Sequence, residues 1–348
     1  MGRTKLGVIF GGTSTEHNVS IVSGTSIIKN LNKEKYEIYP IYIDLKGEWF
    51  KYTYNNEEFK VGDEIIGTEK IENIVKYLKE LDIVFPVLHG LYGEDGTIQG
   101  MLELLKIPYV GTKVLGSSIC MDKAYAKVIF DKANISQAEY IYIRKYNDKY
   151  IYIEKDFTEE ILDINRIIKN VLDKIKFPMF VKPSNAGSSV GISKVENETE
   201  LIKAIEYAGK FDNKILIEEG IQGREVECAV FGNEEVQTSC LGEILSADEF
   251  YSFNAKYQNQ KSKTVIPADL PEELSNKVRK IAKKAYKATD CKGLARVDFF
   301  VGDKNNKIYI NEINTIPGFT QISMYPKLWE QTGVNYSDLL DKLIELAY

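Results

Sequence analysis

Histidine and cysteine are scarce in this chain. His17 and His89 are the only two histidines among 348 residues, which argues against a His-rich metal site or a histidine proton relay. The four cysteines, Cys120, Cys228, Cys240 and Cys291, are scattered with no CxxC pair and no metal-ligand spacing. They read as buried small apolar residues. No apolar run approaches the length of a membrane span. Residues 5–10 are too short a stretch, and too soon followed by glycines, for a signal peptide. These absences point to the reducing cytoplasm. Positive charge is also in deficit, with 45 Lys plus Arg against 51 Asp plus Glu and a net charge of −6. Such a surface argues against non-specific nucleic-acid binding. Neither the Gly-Lys-Ser/Thr of a P-loop nor GxGxxG occurs, which weakens a dinucleotide dehydrogenase reading.

What is present is an ordinary globular composition, 44% hydrophobic and 28% charged, and enough length for two or three domains. The first third alternates strands (6–10, 39–43, 83–87) with helical stretches (about 19–31 and 98–105), which predicts a parallel sheet. Thr13 with Glu16 fits a capping box. In the middle part, residues 140–156 read as a strand plus an exposed loop. Strands 179–182 and 192–195 flank the small-residue loop 183–191, and a helix follows through Leu201, Ala204, Ile205 and Ala208. Strands 215–218 and 226–231 are joined by a turn at Gln222-Gly223-Arg224. The last third holds a polar loop at 246–262, a helix starting near Pro271, two further strands and a closing amphipathic helix. Domain boundaries are placed near 122 and 213.

The two late strands carry the chemistry. Each is apolar, yet each contains oxygen donors, and a buried unpaired carboxylate is costly unless a cation accounts for it. Glu312 and Asn314, two residues apart on a strand, point the same way. With Asp298 facing them they form a hard-oxygen set for Mg²⁺ or Mn²⁺ held jointly with substrate phosphates. Arg296 shares the face of Asp298, either pairing with it or stabilising developing charge. The loop Gly187-Ser188-Ser189-Val190-Gly191 offers backbone N–H groups and hydroxyls to an anion. Lys182 ends the strand before it, and Lys123 and Lys256 are further phosphate candidates. Glu218 at a strand end suits an exocyclic amine, and Glu225 suits ribose hydroxyls. Glu16, at a helix start, is either a cap or a carboxylate for a substrate ammonium. His89 and the glycines after it lie at the carboxyl edge of a parallel strand, where open α/β sheets bind ligands. The turn 314–320 has backbone N–H groups that suit a carboxylate.

In this order, GGTSTEHNVS (11–20), LHGLYGEDGTIQG (88–100), MDK (121–123), VKPSNAGSSVGISKV (181–195), AKY (255–257), ARVDFF (295–300) and NEINTIPGFT (311–320) resemble the D-alanine–D-alanine ligases of the ATP-grasp superfamily. The resemblance implies an α/β chain of three domains. An N-terminal parallel α/β substrate domain (1–122) precedes a central subdomain (123–213) and a C-terminal subdomain with the metal site (214–348), the latter two sandwiching ATP. It implies phosphorylation of one D-alanine carboxylate by ATP, then attack on the acylphosphate by the amine of a second D-alanine. By position it implies Lys123, Lys182, Lys256 and Ser189 at phosphates, Glu218 and Glu225 at adenine and ribose, and Asp298, Glu312 and Asn314 at two Mg²⁺ or Mn²⁺ ions. Arg296 and the backbone at Gly318 would stabilise the tetrahedral intermediate. Glu16 would face the first ammonium, with Ser188 and Tyr257 completing a hydrogen-bonded link that closes the loop. His89, Ser323 and Met324 would meet substrate, the latter two at the second carboxylate. Peptidoglycan synthesis, a cytoplasmic location and a homodimer are further implications.

Three positions depart from the family pattern: Asn185-Ala186 in place of a charged pair, Glu219 in place of lysine, and Ile322 in place of histidine. The alternatives are a relative that joins D-alanine to D-serine or D-lactate, and a nucleotide-binding module without ligase activity. Tyr257 discriminates against D-lactate, because lactate-using relatives alter that lid. The presence of Asp298, Glu312 and Asn314 weighs against an inactive module.

Overall fold

The computed structural model describes residues 2–55, 57–63, 65, 67–187, 189–245, 263–303 and 306–348. The first unit contains β1 (Thr4–Gly11), α1 (His17–Asn30), β2 (Tyr36–Ile43), β3 (Trp49–Lys51), β4 (Glu69–Lys70), α2 (Ile74–Leu78), β5 (Ile83–Pro86), α3 (Thr97–Leu105) and α4 (Val114–Met121). Its sheet runs β4-β3-β2-β1-β5. β1 is parallel to both β2 and β5, as the alternating pattern predicts, while β3 and β4 add antiparallel strands at one edge. β1 lies between β2 and β5 with a core cluster on each face, so its residues read as a continuous apolar run. Leu6, Val8 and Phe10 face one core, and Ile9 faces the other.

A second unit follows helix α5 (Lys123–Lys132): β6 (Tyr140–Tyr146), β7 (Lys149–Ile153), β8 (Glu159–Leu162), α6 (Ile164–Lys174), β9 (Met179–Pro183), β10 (Ser193–Val195), α7 (Glu198–Ala208) and β11 (Lys214–Glu219). Its six strands run β10-β9-β11-β6-β7-β8, and all the pairings are antiparallel. The stretch 140–156, expected as one strand and a loop, is the hairpin β6–β7, turned at Asn147 with φ of 55°. Its tyrosines alternate with isoleucines, and both types suit a half-buried pleated surface. The boundary near 213 falls one residue before β11. That strand is bonded to β9 and β6, so the chain leaves the central sheet only after Glu219.

The third unit has β12 (Gly223–Phe231), β13 (Gln237–Leu245), β14 (Lys263–Val265), α8 (Glu272–Ala288), β15 (Leu294–Gly302), β16 (Ile308–Asn314), α9 (Met324–Gln331) and α10 (Tyr336–Glu345). Its antiparallel sheet runs β14-β13-β12-β15-β16. β11 and β12, joined through the expected turn, therefore lie in different sheets. Pro271 is the N-cap of α8 rather than its first residue. The polar loop 246–262 lies outside the described residues.

The first and third units share a core. Phe319, Tyr325, Leu328 and Trp329, with Leu339, Leu340 and Leu343 of α10, cluster with Leu6, Val8 and Phe10 of β1. Each fully buried Leu or Phe contributes about 1.5–3 kcal/mol. This packing brings the turn after β16 against the carboxyl ends of β1 and β5. The turn from β1 into α1 requires glycine: Gly11 has φ of 92°, and a Cβ there would lie 2.2 Å from the Ile43 carbonyl oxygen.

Candidate active site

Two open cavities adjoin where the three sheets meet. They share Lys123, Ser189, Ile192, Ile244 and Glu312 as walls. The first is bounded by the carboxyl ends of β1 and β5 and by the turn after β16. The second lies between the central and third sheets.

In the first cavity, Glu16 is the N-cap of α1, but its side chain makes no capping bond. The expected Thr13–Glu16 capping box does not form. Instead the Glu16 N–H donates to Ser14 Oγ at 3.1 Å, and that hydroxyl donates to the His89 carbonyl at 2.6 Å. The Glu16 carboxylate lies against two glycines from different loops. A Cβ on Gly90 would come within 2.7 Å of Glu16 Oε2, and one on Gly187 within 2.4 Å. His89 is buried, with Nδ1 2.9 Å from the Ile316 carbonyl and Nε2 2.9 Å from Ser23 Oγ. The carbonyl requires a proton on Nδ1, so the ring is a neutral donor there and an acceptor at Nε2. Burial lowers its pKa. His89 thus ties the turn after β16 to β5 and α1, with both ring nitrogens engaged.

Glu94 was part of the motif read from sequence, but its position was not legible there. Its Oε2 accepts from Gly90 N–H at 2.7 Å and its Oε1 from Ile316 N–H at 3.1 Å. Burial, and then the nearby Glu16 charge, push its pKa up to about 8. Further round the wall, Ser323 Oγ accepts from Thr320 N–H at 3.0 Å and lies 2.7 Å from Thr320 Oγ1. A Cβ on Gly318 would come within 2.8 Å of Ser323 Oγ, so backbone and hydroxyl meet closely at this turn. Ser323 is the N-cap residue of α9, which begins at Met324, but its side chain makes no capping bond; both residues line the cavity.

Register assembles the charged face. Glu227 of β12 stands opposite Asp298 of β15, which stands opposite Glu312 of β16. Arg296 is likewise paired with Asn314. Arg296 Nε and Nη2 donate to the two Asp298 oxygens, each at 2.7 Å, and Asn314 Nδ2 donates to Asp298 Oδ2 at 2.9 Å. Glu227 Oε2 lies 3.1 Å from Arg296 Nε. That is an ion pair without hydrogen-bond geometry, because the Nε–H already points at Asp298. Burial opposes the Arg296 charge, but Asp298 and Glu227 outweigh it and raise its pKa. Glu227 escaped the sequence reading; its alternation on β12 with Glu225 was the available signal.

The oxygen set fits a divalent cation that shares its coordination with phosphates. Among the described residues no group of three His, Cys, Asp or Glu side chains forms a ready cage. Mg²⁺ is usually held by one or two carboxylates when a nucleotide supplies further oxygens, and Asp298 and Glu312, opposite each other on adjacent strands, offer two. For Asp298 to serve, it must give up part of its hold on Arg296. Asn314 must present its carbonyl oxygen rather than its NH₂.

The second cavity holds the lysines. Lys123 Nζ donates to the Ala186 carbonyl at 2.7 Å, beside the Gly/Ser loop. Ser189 in that loop has φ of 59° and lines both cavities. β9 and β11 pair, with Phe180 opposite Glu218 and Lys182 opposite Leu216. Glu218 is 5% exposed and ion-paired to both Lys182 and Lys127. Burial pushes its pKa up, but the two ammonium groups outweigh that and hold it down to about 2. Lys127, on the first turns of α5, was not read from sequence. Glu225 and Glu219 also line this cavity. Ser188, Lys256 and Tyr257 lie outside the described residues.

The family model described as D-ala D-ala ligase N-terminus matches residues 5–112, and that described as D-ala D-ala ligase C-terminus matches 129–345. A D-alanine–D-alanine ligase from Acetivibrio thermocellus is 49% identical, the match covering 98% of this chain and 94% of that protein. One from Clostridium acetobutylicum is 48% identical over 99% and 98%. Among solved structures, the VanG D-Ala:D-Ser ligase from Enterococcus faecalis superposes with a TM-score of 0.83 at 37% identity, covering all of both chains. The D-alanine–D-alanine ligase from Coxiella burnetii gives 0.82 at 35%, covering 100% of this chain and 94% of that one. With its sheets, its two cavities and both family models in agreement, the chain belongs to the D-alanine–D-alanine ligase family and has the three-domain ATP-grasp fold.

Proposed function

We propose that the two joined cavities carry out one reaction, with nucleotide in the second and amino acids in the first. The protein is an ADP-forming ligase that joins two D-alanines through an acylphosphate, supplying D-alanyl-D-alanine for peptidoglycan synthesis. The observation that supports this division is the shared wall: Lys123, Ser189 and Glu312 border both cavities, where a γ-phosphate would pass between them.

Adenine lies along Phe180 and the β9–β11 pair, its amine donating to Glu218, with ribose at Glu225. Lys182 turns from Glu218 to the phosphates, joined by Lys123, Ser189 and Lys256. Asp298, Glu312 and Asn314 would hold two Mg²⁺ or Mn²⁺ ions, which when bound neutralise charge on the transferring phosphoryl group. Glu16 takes the first D-alanine's ammonium, and His89 and Glu94 keep the neighbouring turn in place. Phosphoryl transfer to the carboxylate gives the acylphosphate and ADP. The second D-alanine, its carboxylate at Ser323 Oγ and the Met324 N–H, attacks through its free amine. Arg296 and the Gly318 N–H stabilise the tetrahedral oxyanion, and phosphate leaves. Because acylphosphate is prone to hydrolysis, closure must precede its formation; Ser188 and Tyr257, linked to Glu16, are proposed to latch it.

The D-serine and D-lactate alternatives are not favoured, since the curated relatives at 48–49% identity are named for D-alanine. Mass spectrometry of products from ATP and D-alanine, alone and with D-serine or D-lactate added, tests the reaction. D-Ala-D-Ala with one ADP each is expected, and a higher kcat/KM for D-serine would overturn it. Among the described residues no helix is long and apolar enough to cross a membrane. We place the enzyme in the cytoplasm, where ATP is available and the unpaired thiols stay reduced. Homodimer formation is a further proposal, checked by light scattering.

A further inference from the structure

We propose that Lys127 is a positioning residue for base selection, the permanent counter-ion that keeps Glu218 an ionised acceptor when Lys182 moves to the nucleotide's phosphates. This rests on the reading of the second cavity as the nucleotide site. One carboxylate here has two ammonium partners. Lys127 Nζ lies 3.0 Å from Glu218 Oε2, and Lys182 pairs with Oε1. The side chains are unequally buried: Lys127 is 4% exposed and Lys182 12%. Lys182, on β9 at the edge of the Gly/Ser loop, is the one free to leave.

Lys127 is held from its own side. Its carbonyl accepts from Gln137 Nε2 at 2.8 Å, and its ammonium lies 5.3 Å from the centre of the Tyr140 ring. Tyr140 is fixed in turn by a 2.9 Å bond to Asp131, one turn further along α5. A single ammonium cannot serve a phosphate and a buried carboxylate at once. If both lysines left Glu218, it would be an isolated buried charge, which takes up a proton rather than bear the cost. Lys127 prevents that.

The proton matters for specificity. An ionised carboxylate only accepts hydrogen bonds, whereas its protonated form also donates. Adenine presents an amine donor at position 6, and guanine presents a carbonyl acceptor there. With Oε2 occupied by Lys127, Oε1 faces the cavity as an acceptor, which favours adenine and repels guanine. Phe180, the cross-strand partner of Glu218, lines the same cavity beside it.

The test is calorimetric binding of ADP and GDP, with steady-state kinetics for ATP and GTP, on the full chain. Lys127→Met is expected to weaken ADP binding and raise the KM for ATP about tenfold or more. Its preference for adenine over guanine should narrow by a similar factor, with a much smaller change in kcat at saturating ATP. Its KM for ATP should also climb as pH falls from about 8 to 6, where Glu218 now gains a proton. Lys127→Arg should recover most of the preference. Lys127→Gln, which keeps a donor but no charge, carries the same expectation as Met and serves if the Met variant does not fold. An unchanged ADP:GDP ratio in these neutral variants, or a loss confined to kcat, would overturn the role of Lys127. Glu218→Gln separates the two ideas. If it leaves the ADP:GDP ratio untouched, the base does not meet Glu218 and the reading of the cavity fails. If it lowers the ratio while the Lys127 variants do not, only the role of Lys127 fails.

Discussion

The guanidinium of Arg296 holds both oxygens of Asp298, each at 2.7 Å, two residues along the same strand. A proposed oxyanion stabiliser and a proposed cation ligand therefore neutralise each other, and Glu227 adds a second anion beside the arginine. Arg296→Lys keeps a charge but loses the planar fork. Its kcat should fall about 10²–10³-fold, the usual loss on removing one oxyanion donor. Steady-state kinetics at saturating substrates check this, and a kcat within threefold of the parent would refute the role.

Glu312 separates function from folding. It borders both cavities and stands opposite Asp298 at the sheet edge strand. Glu312→Gln preserves shape and removes one anionic ligand. Turnover should drop far more than the melting temperature, and the Mg²⁺ concentration for half-maximal rate should rise. An unaltered Mg²⁺ dependence would show that Glu312 binds no cation.

Gly187 tests the contact between the central loop and the first unit. Its Cβ would lie 2.4 Å from Glu16 Oε2, the mobile tip of a side chain. Gly187→Ala should therefore push the Glu16 carboxylate aside rather than distort backbone. Stability should hold or rise by about 0.4–1 kcal/mol through the stiffer unfolded chain. The KM for the first D-alanine should rise about tenfold, read from initial rates at fixed ATP.

Glu94 gives a pH dependence with a definite sign. Its pKa rises to about 8 in the fold, chiefly through burial and then through Glu16. Between about pH 4.5 and 8 the folded state keeps a proton that the unfolded chain has released, so stability falls as pH rises through that window. Glu94→Gln removes this contribution. Denaturant melts at pH 5 and pH 8 should show a smaller loss of stability in the variant than in the parent. An equal loss in both would mean that Glu94 does not titrate there.

Sequence alone determined what depends on short spacing. The i, i+2 rule put Arg296 with Asp298 and Glu312 with Asn314 on shared strand faces, and apolar runs marked β1, β5, β9, β11, β15 and β16. Short-range rules misjudged local detail where tertiary contacts competed: Ser14 took the Glu16 N–H because the His89 carbonyl was there to complete the chain. Only the tertiary structure decided which distant charges meet. Sheet register set Glu227 opposite Asp298, α5 packing delivered Lys127 to Glu218, and Glu94 reached a turn 222 residues away. The physical reason is that a side chain's direction follows from its own backbone, whereas its partner is chosen by how separate sheets and helices pack to bury their apolar faces.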